Sequence, residues 1–146
     1  MIHIFTDGAC VGNPGPGGWG VVVQHKDKTC LFSGHEPQTT NNRMEMTAVI
    51  RALEGCQHHD TIRIFSDSQY VVKGITDWVQ RWEKNGWKNS KKKDVENRDL
   101  WEILLALSRC FSQLSWQWVK GHSQCTGNAA ADRLAHNAAH KILLLP

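Results

Sequence analysis

Four acidic residues stand where idle charge is out of pattern: Asp7, Glu45, Asp67 and Asp132. Asp7 closes the alternating apolar segment IHIFTD just before a run of glycine and proline. Glu45 lies on the apolar side of a helical pattern, three and four residues before Ala48 and Val49. Asp67 ends TIRIFSD and opens a helical stretch, and Asp132 is set among Ala129–Ala131 and Leu134. Carboxylates drawn together repel one another and raise each other's pKa unless a cation sits among them. Hard oxygen donors select Mg2+ or Mn2+, whose shells are completed by water and phosphate oxygens. A pair of such ions ~4 Å apart activates a water and stabilises the leaving oxygen of an in-line phosphoryl displacement. Taken singly, each acid has a plain alternative as a helix cap or a solvated edge, and Asp67 could simply cap the helix that follows it.

Convergence has to come from the elements that carry these acids. Residues 2–7, 19–24, 29–34, 61–67 and 114–119 read as strands, with HKDK as a tight connection between the second and third. The Gly8–Gly18 segment, GACVGNPGPGG, reads as irregular, and HEPQTT as a polar loop. Asn41 and Asn42 are candidate caps for a helix that ends near Gly55. A helical pattern runs over 68–87, with a possible break at Gly74. WKNSKKKDVEN follows as a polar loop, and helices follow over about 98–110 and 129–142. The order β-β-β-α-β-α-α-β-α predicts an α/β fold with a mixed five-stranded sheet, three strands antiparallel and the later ones parallel, flanked by helices. If the strands ending at Asp7 and Asp67 are adjacent and parallel, both carboxylates emerge at one sheet edge, where α/β folds place their sites.

The 146 residues make one ordinary domain, 1–146, with 40% hydrophobic and 21% charged residues, a globular composition. No apolar run approaches the ~20 residues of a membrane span. The opening MIHIFTDGAC has neither the basic flank nor the apolar stretch of an export signal, so a cytoplasmic location and no membrane partner are expected. The five cysteines are scattered without a CxxC pair, which argues against a disulfide framework or a zinc knuckle. The formal charge of +3 is modest but concentrated. Lys73, Arg81, Lys84, Lys88, Lys91, Lys92 and Lys93 stand against only Asp77 and Glu83 in their segment, the kind of cluster that binds phosphates.

With these residues in view, the chain resembles type 1 ribonuclease H. TDGACVGNPGPGGWG, NNRMEMTAVIRAL, FSDSQYVVKGI, and VKGHS followed by GNAAADRLA are similar to that family's blocks, in order, from Ile2 to about Ala139. The resemblance implies a ribonuclease H-like fold and endonucleolytic hydrolysis of the RNA strand of RNA–DNA hybrids. It implies two Mg2+ ions, with Mn2+ a possible substitute, held by Asp7, Glu45, Asp67 and Asp132, and products with 5′-phosphate and 3′-hydroxyl ends. It also implies a role in removing RNA primers and hybrids during replication and repair. His122 matches the family's loop histidine, which assists proton transfer or product release; its plain alternative is a capping histidine.

By matching position, Cys10, Asn13, Asn41, Asn42 and Gln69 resemble the residues that contact the hybrid's minor groove, where the 2′-hydroxyl is read. Turn and cap chemistry is the alternative for Asn13 and Asn41. The stretch from Gly74 to Lys93 resembles the basic protrusion of bacterial members. Trp78 is expected to lie against the hybrid, Trp82 to belong to the core, and Lys84, Lys88, Lys91, Lys92 and Lys93 to contact phosphates. Asp77 and Glu83 within it, and Asp94 and Glu96 after it, are expected to weaken that attraction and flatten its salt dependence. Two rival classes remain: a non-catalytic hybrid-binding module on the same fold, and a transposase- or integrase-like domain acting on DNA. Nothing in the pattern demands more than a monomer.

Overall fold

The computed structural model describes residues 1–121 and 126–141. His122 and Cys125 lie outside the described residues, as does the apolar tail from Ile142. Strands β1 (Ile2–Cys10), β2 (Gly15–His25), β3 (Lys28–Thr39), β4 (Thr61–Ser66) and β5 (Gln113–Trp118) form one sheet in the order β3-β2-β1-β4-β5. β1, β2 and β3 pair antiparallel, and β4 joins β1 and β5 in parallel. The expected mixed five-stranded sheet is therefore the one observed. Helices α1 (Asn41–Glu54) and α5 (Thr126–Lys141) cover opposite faces, and α4 (Arg98–Ser108) packs beside α1. The main core joins Ile4, Val21, Ile62 and Ile64 of the sheet to Met46, Val49 and Leu53 of α1 and to Trp101 and Leu104 of α4.

The glycine-rich segment is the principal correction. Only residues 11–14 leave the sheet: Gly8–Cys10 extend β1, and Gly15–Gly18 open β2 against them. These glycines serve close packing. A Cβ on Gly8 would lie 2.4 Å from the Glu45 backbone nitrogen, and one on Gly18 would lie 2.4 Å from that of Ala139. On α5 the facing stripe is Ala131, Ala135, Ala138 and Ala139, so a side-chain-free patch of sheet meets a thin helix face. Packing, which local composition does not display, turned an apparent loop into strand.

HEPQTT likewise continues β3, an edge strand, and Pro37 falls where the register slips between Gly15 and Gly17. Proline is tolerated at such an edge irregularity because no ladder donor is needed there. The cap of α1 is Thr40, whose hydroxyl accepts from Arg43 N at 3.2 Å; Asn41 and Asn42 are its first helical residues. Ser68, not Asp67, caps α2 (Gln69–Lys73), accepting from Val71 N at 3.1 Å.

The expected helix over 68–87 is three pieces: α2, a π-helical turn Gly74–Trp78, and α3 (Val79–Lys84). Gly74 does not break the chain. A Cβ there would stand 2.1 Å from the Trp101 ring, which occupies the space against its backbone. Past α3, Trp87 has φ +63° and is buried, with Arg98 5.6 Å over its ring.

Candidate active site

Parallel pairing of β1 with β4 runs from Ile2↔Ile62 to Thr6↔Ser66, which brings the next residues of each, Asp7 and Asp67, side by side. β4 stops there while β1 runs on to Cys10 with β2 alone, so Asp7 sits where the sheet parts rather than at a strand end. The missing side chain at Gly8 lets α1 press onto β1, delivering Glu45 to the same point. Carboxylate oxygens of Asp7, Glu45 and Asp67 all lie within 4.8 Å of one another. Asp132, on α5, lines the same cavity of about 320 Å³, together with Gly8, Asn41, Ser68 and His136.

Asp67 is held from its far side by β5. The Trp118 indole N–H donates to the Asp67 carbonyl at 3.1 Å, and Val119 N donates to Ser66 O at 2.9 Å. The chain then passes so near that a Cβ on Gly121 would stand 3.2 Å from Asp67 Oδ2.

Asp7 and Glu45 are nearly inaccessible, at 3% and 4% exposure. Burial pushes the Asp7 carboxyl up to about 7, helped by the Asp67 charge and by Asp132, and opposed by hydrogen bonds from Glu45 and from Gly8 N, the latter 2.9 Å long. Burial also lifts Glu45 well above the carboxylate range, with the Asp7 charge adding to it. No described cation pairs with Asp7 or Glu45, and Glu45 Oε2 is buried without a hydrogen-bond partner among the described residues. An orphaned acceptor in a cluster of hard oxygens is suited to a divalent cation such as Mg2+. The donor set fits such an ion.

The proposed hybrid-contacting residues divide. Asn13 Oδ1 accepts from Asn41 N at 3.0 Å, and the Cys10 thiol reaches the carbonyls of Thr39 (3.4 Å) and Gly15 (3.5 Å), so these two lock the β1–β2 turn to the start of α1. Asn41 lines the acidic cavity, and Asn42 and Gln69 are exposed beside it in sequence. Trp78 is half-buried, edge-on to Tyr70 at 6.0 Å and tilted against Trp82 at 5.8 Å, and it lines an open groove with Arg81, Lys88 and Asn89. Trp82 packs onto the fully buried Trp101.

The acids of the protrusion are spoken for. Asp77 pairs with Arg81 at 2.8 Å, Glu83 with Arg109 just past α4 at 2.6 Å, and Asp94 with Lys88. Lys84, Lys91, Lys92 and Lys93 are exposed and make no ion pair among the described residues. The anticipated dilution of the basic cluster therefore falls on Arg81 and Lys88. Two residues at the site escaped the sequence reading. His136 had a signal, its spacing four residues after Asp132 on one helix face. Trp118 had none, because its role depends on the β4–β5 register.

A mixed sheet with acids where its central parallel strands part defines an α/β enzyme class with its site at that edge. A family model described as RNase H matches residues 1–140. Ribonuclease H of Methylococcus capsulatus is 51% identical over 142 residues, covering 97% of this chain and 91% of that protein. Among solved structures, LC9-RNase H1, a type 1 RNase H, superposes with a TM-score of 0.85 at 32% identity, covering 96% of this chain and 72% of that one. LC11-RNase H1, solved in complex with an RNA/DNA hybrid, gives 0.74 at 27% identity, covering 98% and 99%. The chain belongs to the RNase H family and is an enzyme of it.

Proposed function

We propose that this chain cleaves the RNA strand of RNA–DNA hybrids endonucleolytically, using two Mg2+ ions and leaving 5′-phosphate and 3′-hydroxyl ends. The observation that carries the reading is the convergence of Asp7, Glu45 and Asp67 within 4.8 Å in an open cavity that Asp132 completes. These four would hold the ions, which when bound lower the pKa of an attacking water and neutralise charge on the leaving oxygen; Mn2+ is a substitute. The residues themselves bind and orient. Asn41 stands at the cavity wall and is bonded to Asn13; these two, with Cys10, Asn42 and Gln69, would read the 2′-hydroxyl across the minor groove. Trp78 offers a ring to the sugar backbone, and Lys84, Lys88, Lys91, Lys92 and Lys93 supply charge to its phosphates. His122 moves the proton at the leaving group or the departing product. The chain acts as one domain and as a monomer, in the cytoplasm, clearing primers and hybrids during replication and repair. No helix among the described residues is long and apolar enough to cross a membrane.

Matched hybrid, RNA duplex and DNA duplex, each with Mg2+, test the reading. Cutting confined to the RNA of the hybrid, lost in Asp7→Asn while hybrid binding persists, is the expected result. Comparable cutting of plain DNA would overturn it in favour of a transposase-like activity. Hybrid binding without cutting would leave a non-catalytic module.

A further inference from the structure

Beyond Asp132, α5 carries two potential metal donors, His136 and His140, that the proposed hydrolysis does not use. Asp132, His136 and His140 follow one another at four-residue intervals along a single helix face. The His136 and His140 rings stack, with centroids 6.4 Å apart and planes 16° from parallel, and both are exposed. His136 Nε2 also lies 3.6 Å from Asp132 Oδ1, so a carboxylate stands at one end of the imidazole pair. No described acid or base from another element is ion-paired with either histidine.

We propose that His136 and His140 chelate a borderline divalent ion such as Zn2+, Ni2+ or Cu2+ at the rim of the acidic cavity, with Asp132 adding negative field. The chemistry sorts the two sites. Imidazole suits borderline transition ions, whereas the all-oxygen cluster of Asp7, Glu45 and Asp67 suits Mg2+. The geometry is close. With metal–nitrogen bonds of about 2.0–2.1 Å, each ring centroid stands about 3.2 Å from the ion, and a tetrahedral angle puts the two centroids about 5 Å apart. The present separation needs about 1 Å of closure, within reach of exposed side chains turning about χ1 and χ2. Two donors four residues apart on a formed helix are held near each other, so once one imidazole binds, the second does so at high effective concentration. Chelation re-orients His136, now 3.6 Å from Asp132, so the ion's arrival changes what flanks that acid. This inference stands on α5 and holds whatever the hydrolytic substrate.

The test is a Cu2+ titration of the whole protein in excess Mg2+, followed residue by residue through paramagnetic broadening of backbone amide NMR signals. Broadening should begin, below one equivalent, in the α5 turns around His136 and His140. His140→Ala and His136→Ala should each weaken that binding at least about tenfold, while His59→Ala leaves it unchanged. His140 is exposed and alanine favours helix, so the fold survives the change. Zn2+ should raise the melting temperature of the parent protein and not that of His140→Ala. Broadening that starts at His58 and His59 or at the Asp7 cluster, or an affinity indifferent to His140→Ala, would overturn the proposal.

Discussion

The acidic cavity carries a stability cost that one neutral substitution should relieve. At 4.8 Å, the widest separation in the Asp7, Glu45 and Asp67 cluster, two like charges cost about 3.5 kcal/mol each other at an effective dielectric of about 20. The Asp7 carboxyl carries a cost of similar size, set first by burial and added to by the Asp67 charge. Its pKa rises from 3.8 to about 7, and three units correspond to about 4 kcal/mol. Because Asp7 and Glu45 share the burden, we expect about 2–4 kcal/mol in practice. The sign is set by proton count. A folded-state pKa above the unfolded one means that the native state holds the extra proton between about pH 4 and 7, so native stability falls as pH rises through that window.

Asp7→Asn removes the charge while keeping an oxygen to accept from Gly8 N. Urea denaturation in excess chelator should then find the variant more stable than the parent by about 2–4 kcal/mol above pH 7, roughly 5–12 °C in melting temperature. Near pH 4, where the parent carboxyl is already protonated, the gap should shrink below about 0.5 kcal/mol. Added Mg2+ should stabilise the parent more than the variant and so narrow the gap. A variant equal to or weaker than the parent above pH 7, or a gap of the same size at both pH values, would show that the buried Asp7 charge is not what costs this cavity stability.

Trp118→Phe deletes the N–H that holds the Asp67 carbonyl; it should cost about 0.5–1.5 kcal/mol of stability and raise the Mg2+ needed for half-maximal activity a few-fold, and an unmoved Mg2+ activation curve would count against that role. Replacing Lys91, Lys92 and Lys93 with alanine should reduce the slope of log affinity against log salt by up to about 2.7, leaving turnover at saturating hybrid nearly intact, and a large fall in saturated rate would mean those lysines act elsewhere. Gly18→Ala forces a methyl to within 2.4 Å of the Ala139 nitrogen and should cost about 1–3 kcal/mol in urea melts; an unchanged midpoint would mean that α5 yields easily.

What sequence disclosed about this molecule was chemistry more than packing. All five strands were located, two of them by alternation, and the pairing of the Asp7 and Asp67 strands, a condition at the level of sequence, is met in the sheet. Glycine was misread because its common use in turns hides its use under helices; Gly8 and Gly18 are strand residues for a reason that lies on α1 and α5. Capping failed by one position at Thr40, since three polar residues in a row compete and only backbone geometry selects among them. Trp82 fell on the core side, as helical spacing with Trp78 suggested, because Trp101 waits beneath it. Asp77 and Arg81 pair at the i,i+4 spacing of a helix, whereas the partner of Glu83 was illegible, because Arg109 lies across a distance no local rule spans.

The fork at which β4 stops and β1 runs on has a kinetic corollary. Residues 7, 45, 67 and 132 are brought together by four elements, and no subset of neighbouring elements contains them all. Closing so long a loop is a late and entropically expensive event for a folding chain. A fragment or a partly folded intermediate therefore holds at most a remnant of the acidic pocket, and affinity for a divalent cation matures only with the last long-range contact. A divalent ion held there would thus report arrival at the native state and, by preferring that state, would stabilise it.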